Sequence, residues 1–180
     1  MALSATIYAF EVALNDSDRG VYQSLEFRVA RHPSETEDYL LTRVLAYCLE
    51  YAEGIAFSNG LSDPDAPALV IRDLTGALRS WIEVGAPDHA RLHKAAKASP
   101  RVVVYCHKNV DQLLTRLATE RIHRSEVLEI YEVDRELLAA LVPHLARRVR
   151  LDITVTDRHL YVSVGEHTLS GIVTAHRVAG

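Results

Sequence analysis

Hydrophobic and polar residues alternate at both ends of the chain. Tyr8, Phe10, Val12 and Leu14 take every second position from Thr6 on, and Val21, Leu25, Phe27 and Val29 resume the alternation after Asn15–Gly20. Period two on either side of a turn-rich stretch predicts a β-hairpin with one buried face. The tail repeats the pattern with Val149, Leu151, Ile153 and Val155, then Leu160, Val162 and Val164, and a last strand within 169–176. These C-terminal strands are expected to extend the sheet begun by the hairpin.

The period changes between the two ends. Ser34 with Glu37 three residues on is a capping-box signature. Leu40, Leu41, Val44, Leu45, Cys48, Leu49 and Ala52 then cover a wide apolar arc, which predicts a largely buried helix stopped by Gly54. A short strand near 55–59, a polar loop over 60–66, and strands Leu69–Arg72 and Leu78–Val84 joined by the turn Asp73–Gly76 come next. Gly85–Asp88 opens a helix to about Ala98, followed by a strongly apolar strand over 101–106. Beyond it the pattern reads helix (110–121), strand (127–133) and helix (135–146). No repeat or linker interrupts residues 1–180, so a single compact α/β domain is expected. The order helix, strand, strand, strand, helix, strand over 34–106 is the core of the restriction-endonuclease-like fold. The expected fold is therefore a mixed sheet flanked by helices, with an extra antiparallel β portion from the hairpin and the tail.

Composition narrows the function classes. At 180 residues, 48% hydrophobic and 24% charged, with 8 Gly and 6 Pro, the chain is neither disordered nor fibrous. Its formal charge of −4 argues against coating nucleic acid by bulk charge but leaves room for a local basic groove. Only Cys48 and Cys106 are present, too few for a disulfide framework. The first residues lack a signal-peptide pattern, and no apolar stretch approaches the roughly 20 residues of a membrane span. A reduced, cytoplasmic protein without membrane attachment is expected.

Candidate chemistry centres on carboxylates. If Asp73–Ala77 is the hairpin turn, opposed residues sum to about 150 and Glu83 faces Pro67. Asp65 then lies about two residues along the partner strand, close enough to share an ion with Glu83. Asp73 falls at the far end and suits a turn role. Glu83 stands in Trp81-Ile-Glu-Val-Gly85, a strand otherwise built for burial, where a carboxylate must be paired or metal-bound. Arg79 or Arg101 would serve as a structural partner. Glu35, at the predicted helix start, either complements the helix dipole or adds a third acid. Arg31 and His32 are loop residues or phosphate contacts. Arg91, Lys94 and Lys97 form a basic stripe on the second helix, either a solvated face or a nucleic-acid contact. His89 and His93 have the i, i+4 spacing of zinc ligands, but no third ligand is placed by spacing. No nucleophile elbow, phosphate-binding glycine loop or Cys-x-x-Cys is present.

Four segments together resemble the YaeQ family of bacterial proteins: Met1–Tyr8, Ala30–Thr36, Asp73–Gly76 and Trp81–Asp88. The resemblance spans essentially the whole chain and implies a variant of the PD-(D/E)XK nuclease fold, without implying a known reaction. Carried over, the acid of the second half-motif matches Glu83, and Asp65 matches an acidic position before the first hairpin strand. Where many relatives of this pattern have Pro-Asp, the chain has Pro67-Ala68, and where a lysine follows the acid it has Gly85. Lys94 is the natural substitute for that lysine. Two functions are expected from this reading. One is a Mg²⁺- or Mn²⁺-dependent phosphodiesterase on DNA or RNA, with metal at Asp65, Glu83 and Glu35, Lys94 assisting catalysis, and Arg31, His32, Arg91 and Lys97 contacting nucleic acid. The other is a non-catalytic nucleic-acid- or transcription-related binding protein on a degenerate nuclease fold, which a salt-bridged Glu83 would favour.

Overall fold

A computed structural model describes residues 4–58 and 65–178. The hairpin forms as the alternation predicts: β1 (Thr6–Asp16) pairs antiparallel with β2 (Val21–Arg31). Helix α1 (Glu37–Leu49) begins later than the capping box suggests. Thr36 is its N-cap, accepting from the Tyr39 amide at 3.1 Å, because the Ser34 hydroxyl is taken by Nδ1 of His32 at 2.7 Å. Glu35 therefore precedes the helix. The helix also ends earlier, at Leu49, and Gly54 does a different job. It has a positive φ of 89°, and a Cβ there would lie 1.9 Å from the Arg72 carbonyl oxygen, so only glycine lets β3 (Ile55–Phe57) pair closely with β4 (Leu69–Arg72). The predicted loop 60–66 lies mostly outside the described residues, as does Asn59.

Strand β5 (Leu78–Val84), α2 (His89–Ala98, capped by Asp88), β6 (Val102–Cys106) and α3 (Val110–Ala118) follow as read, with α3 three residues shorter than expected. A 3₁₀ turn over Ser125–Val127 replaces the start of the next predicted strand, leaving β7 at Glu129–Val133. Helix α4 (Arg135–Leu141) tightens into a second 3₁₀ turn at Val142–His144, where Pro143 cannot donate the next helical hydrogen bond. The tail supplies β8 (Arg148–Thr156), β9 (His159–Val164) and β10 (His167–His176).

All ten strands join one nearly closed, barrel-like sheet in the order β2-β1-β8-β9-β10-β7-β6-β5-β4-β3. The expected extension is made by β8, which lies parallel to β1. Strand β10 links the halves, pairing with β9 through residues 167–172 and with β7 through 173–176. The sheet curls so far that its two edge strands approach, with the Phe27 and Phe57 rings 5.6 Å apart. Helix α1 fills the interior, which is why eight of its thirteen residues are buried rather than one stripe. Helix α4 shares this inner core, while α2 and α3 cover the outer side of β5, β6 and β7 with Leu92, Leu113 and Leu117.

This layering explains the two hydrophobic patterns. Strand β6 is buried at every position because Val103 and Tyr105 face the inner core and Val102, Val104 and Cys106 the outer helices. Strand β8 alternates strictly, because its outer face meets water. The fold shown is thus a mixed α/β architecture with a strongly curled sheet and four helices among the described residues.

Candidate functional site

The predicted acids gather near one end of α1, where strand β5 finishes and α2 begins. A β-bulge at Arg79 of β5 shifts the hairpin register: Ile71 pairs with Ser80, but Arg72 with Leu78. Opposed residues beyond the bulge sum to 151, as in Leu69↔Ile82, rather than to the 150 expected. Continuing that register sets Glu83 across from Ala68, not Pro67. The position facing the acid is therefore Ala68, which is buried.

Glu83 is 4% exposed and ion-paired. Its Oε1 accepts from Trp81 Nε1 and from Arg91 Nε, each at 2.7 Å. The same Arg91 donates through a terminal nitrogen to the Ala66 carbonyl at 2.5 Å. Its guanidinium thus joins the β5 acid to the segment before β4, which is where a shared metal ion was expected. The structural partner of Glu83 is neither Arg79 nor Arg101: Arg101 binds Glu50 and Glu129 elsewhere. Burial pushes the Glu83 carboxyl above its ordinary range, against the Trp81 hydrogen bond and the Arg91 charge.

Asp65 does not share that cation. Its side chain is 84% exposed and meets Lys94 Nζ at 3.3 Å. Lys94, one turn beyond Arg91 on α2, therefore reaches Asp65. Gly85, two residues after Glu83, has a φ of 102°, a conformation any side chain would strain to adopt. Glu35 is buried and bound to Arg43 at 2.5 Å. Arg43 is 1% exposed and also donates to the Ala30 carbonyl at 2.8 Å. Arg31 donates its Nε to the Glu35 carbonyl, and His32 is held by Ser34. Lys97 is exposed near the end of α2. Asp73 caps its turn as expected, accepting from Thr75 and Ala77.

Three residues of this region were not singled out from sequence. The Tyr39 phenol is pushed up by burial and by the charges of Glu35 and Glu83, with Arg43 and Arg91 pulling it down, so it lies within the field of both ion pairs. His107, at the end of β6, is buried beside the Tyr39 ring and held neutral-leaning by burial and by Lys108. Among the described residues, His107 Nδ1 and Arg43 Nε are buried without a hydrogen-bond partner. The one sequence signal for Arg43 is a cation interrupting the apolar arc of α1; His107 and Tyr39 have none.

The donor set does not suit a divalent ion as arranged. Each buried carboxylate already holds an arginine, and no group of three His, Cys, Asp or Glu side chains converges among the described residues. His89 and His93 do not converge on a third ligand either: His93 Nδ1 accepts from the His123 amide at 3.0 Å.

Fold and site together define a mixed α/β protein whose curled sheet wraps one helix and carries two buried glutamate–arginine pairs at one mouth. The chain belongs to the YaeQ family: it matches the YaeQ protein family over residues 1–172. It is 31% identical over 177 residues to the uncharacterized protein YaeQ of Escherichia coli K12, covering 97% of both chains. The uncharacterized YaeQ of Salmonella typhi is 30% identical over 176 residues, with the same coverage. The crystal structure of YaeQ from Xanthomonas axonopodis pv. citri superposes with a TM-score of 0.89 at 30% identity, covering 98% of this chain and 100% of that one. That of Pseudomonas syringae YaeQ gives 0.87 at 31% identity, with coverage of 98% and 97%. No helix of the described residues is long and apolar enough to cross a membrane.

Proposed function

We propose that the protein is a non-catalytic nucleic-acid-binding module built on a degenerate PD-(D/E)XK nuclease-like core. The core assignment is supported by the antiparallel meander β3-β4-β5 and by α2 crossing over to β6, which runs parallel to β5. The observation that carries the loss of catalysis is Arg91, whose guanidinium bridges Glu83 and Ala66 in the place of a metal ion. Ala68 opposite Glu83 supplies no second carboxylate, and Lys94 is turned to Asp65. Nucleic acid would be met through a local cationic surface, since the chain as a whole is acidic. Lys94 and Lys97 on the open side of α2 and Arg31 with His32 at the entry to α1 are its components.

Fluorescence anisotropy with labelled single- and double-stranded DNA and RNA tests this reading. Affinity should fall with salt by a log–log slope of roughly −0.7 to −0.9 per phosphate contacted. Lys94→Ala and Lys97→Ala should flatten that slope by about one contact each. Salt-independent or undetectable binding removes the nucleic-acid reading. Mg²⁺- or Mn²⁺-dependent cleavage by the wild type would instead favour the phosphodiesterase reading, in which Asp65, Glu83 and Glu35 hold the ion after Arg91 withdraws.

A further inference from the structure

A cavity of about 540 Å³ opens inside the sheet at the other end of α1, lined in part by Leu49 and Glu50. α1 spans thirteen residues, so this mouth lies about 20 Å along the helix from the Glu83 end. We propose that it binds a small organic monocarboxylate, with the acid group received by Arg158 and the apolar body laid against Tyr131.

The walls divide into an apolar half and a polar half. Val155, Leu160 and Val173 face the cavity beside Tyr105 and Tyr131, whose rings lie 5.3 Å apart. The volume is that of an ordinary small-molecule site, and such a pocket commonly pairs apolar walls with a few fixed polar groups. Among the acids at this mouth, most are already occupied. Glu50 accepts from Arg101 and from the Tyr105 hydroxyl, and Glu129 accepts from Arg101 and from the Tyr131 hydroxyl. Asp16 holds Arg19 at 2.8 Å. Asp18 accepts the backbone amides of Asp157 and Arg158.

Arg158 differs from the other two arginines. Among the described residues no carboxylate lies within ion-pair distance of its guanidinium, which sits over the Tyr131 ring at 4.8 Å. Guanidinium groups match planar carboxylates through two parallel hydrogen bonds. The acids around the mouth repel a polyanion most, so neither a polyphosphate nor a nucleic acid suits it, and a single carboxylate is received by the local charge of Arg158 rather than by the mouth as a whole. The site is therefore separate from the nucleic-acid surface proposed above.

The backbone supplies an independent observation. Asp157 and Arg158 form the two-residue turn between β8 and β9 with φ of 51° and 61°. Both positions of such a turn favour Asn or Gly, because a larger side chain is strained there. Beside the charge it lends to Asp18, which caps the turn, the Arg158 side chain lies over the cavity wall at Tyr131.

Benzoate is the probe, with benzylamine and inorganic phosphate as comparisons, followed by amide chemical-shift titration and thermal melting of the full chain. Benzoate should shift the amides of Tyr131, Arg158 and Leu160 and bind more tightly than either comparison. Arg158→Gly, which relieves the strained turn, should melt no lower than the wild type yet bind benzoate about tenfold more weakly. Arg158→Asn, which also tolerates the left-handed turn, should behave alike. Preference for benzylamine or phosphate, absence of shifts at the cavity, unchanged benzoate affinity in both variants, or a marked fall in their melting temperature would each overturn the proposal.

Discussion

Removing Arg91 isolates the feature on which the functional reading rests. Arg91→Ala leaves the Glu83 carboxylate, 4% exposed, with the Trp81 N–H as its one remaining hydrogen-bond partner among the described residues. Breaking a buried pair from one side costs about 3–5 kcal/mol. The Arg91 side chain is itself 30% exposed, so water entering its vacated space should hold the loss to the lower end, about 3 kcal/mol. In a chain of this length that corresponds to a fall in melting temperature of roughly 6–12 °C.

The loss should also depend on pH with a definite sign. Burial already raises the Glu83 carboxyl above its unfolded value of 4.5, and deleting the arginine raises it further. The folded variant then binds a proton more readily than the unfolded chain. Its penalty is absent below the unfolded pKa, grows as pH rises toward the folded one, and is complete above it. Urea denaturation at pH 5 and pH 8 should therefore show a smaller Arg91→Ala deficit at the lower pH. Glu83→Gln placed in the same chain should recover most of the deficit at pH 8, since it removes the stranded charge. A deficit below about 0.5 kcal/mol, or one identical at both pH values, would mean that Arg91 is an ordinary surface residue and that Glu83 is solvated without it.

Arg43→Ala should cost at least about 3 kcal/mol in urea denaturation, because it strands Glu35 inside the core, whereas Arg43→Leu with Glu35→Leu should recover most of that loss. Gly54→Ala should lower stability by more than about 2 kcal/mol, combining a positive φ with a Cβ 1.9 Å from the Arg72 oxygen; a loss under half that value would show that β3 and β4 can separate there. Ala68→Asp combined with Arg91→Ala should gain more stability from Mn²⁺ than the wild type does. Melting at an ion concentration a hundredfold above the dissociation constant should show a gain of about 2.7 kcal/mol, and indifference to Mn²⁺ would refute the placement of Ala68 opposite Glu83.

Much of the site's disagreement with its expected form comes from one local irregularity. The turn Asp73–Gly76 and both hairpin strands were legible, yet the bulge at Arg79 moves every pair beyond it by one residue. The extra residue is Arg79 near the start of β5, and nothing in Leu78-Arg79-Ser80 marks a one-residue bulge, there being no glycine or proline at the site. The partner of Glu83 was missed for a related reason. Arg79 is nearer in sequence but is exposed at the bulge near the start of β5, while Arg91 reaches Glu83 from the next helix over a separation of eight residues. The burial of Glu83 was legible because a single acid interrupts a run of apolar strand residues.

The strand alternation, the position of nearly every element and the order of the core segment follow from the sequence by itself, because they depend on residues a few positions apart. Side-chain period decides which face of β1, β8 and β9 meets water, and that decision needs no knowledge of the partner strand. Tertiary structure alone decided three things. It set β1 beside β8, a parallel pairing across more than 130 residues of chain. It curled the sheet around α1, so that Arg43 in the middle of an apolar arc meets Glu35 instead of solvent. It also brought Arg158 from a surface turn over Tyr131 at the opposite mouth. Each depends on contacts between segments far apart in the chain, whose meeting is settled by the burial of the whole core rather than by any local preference.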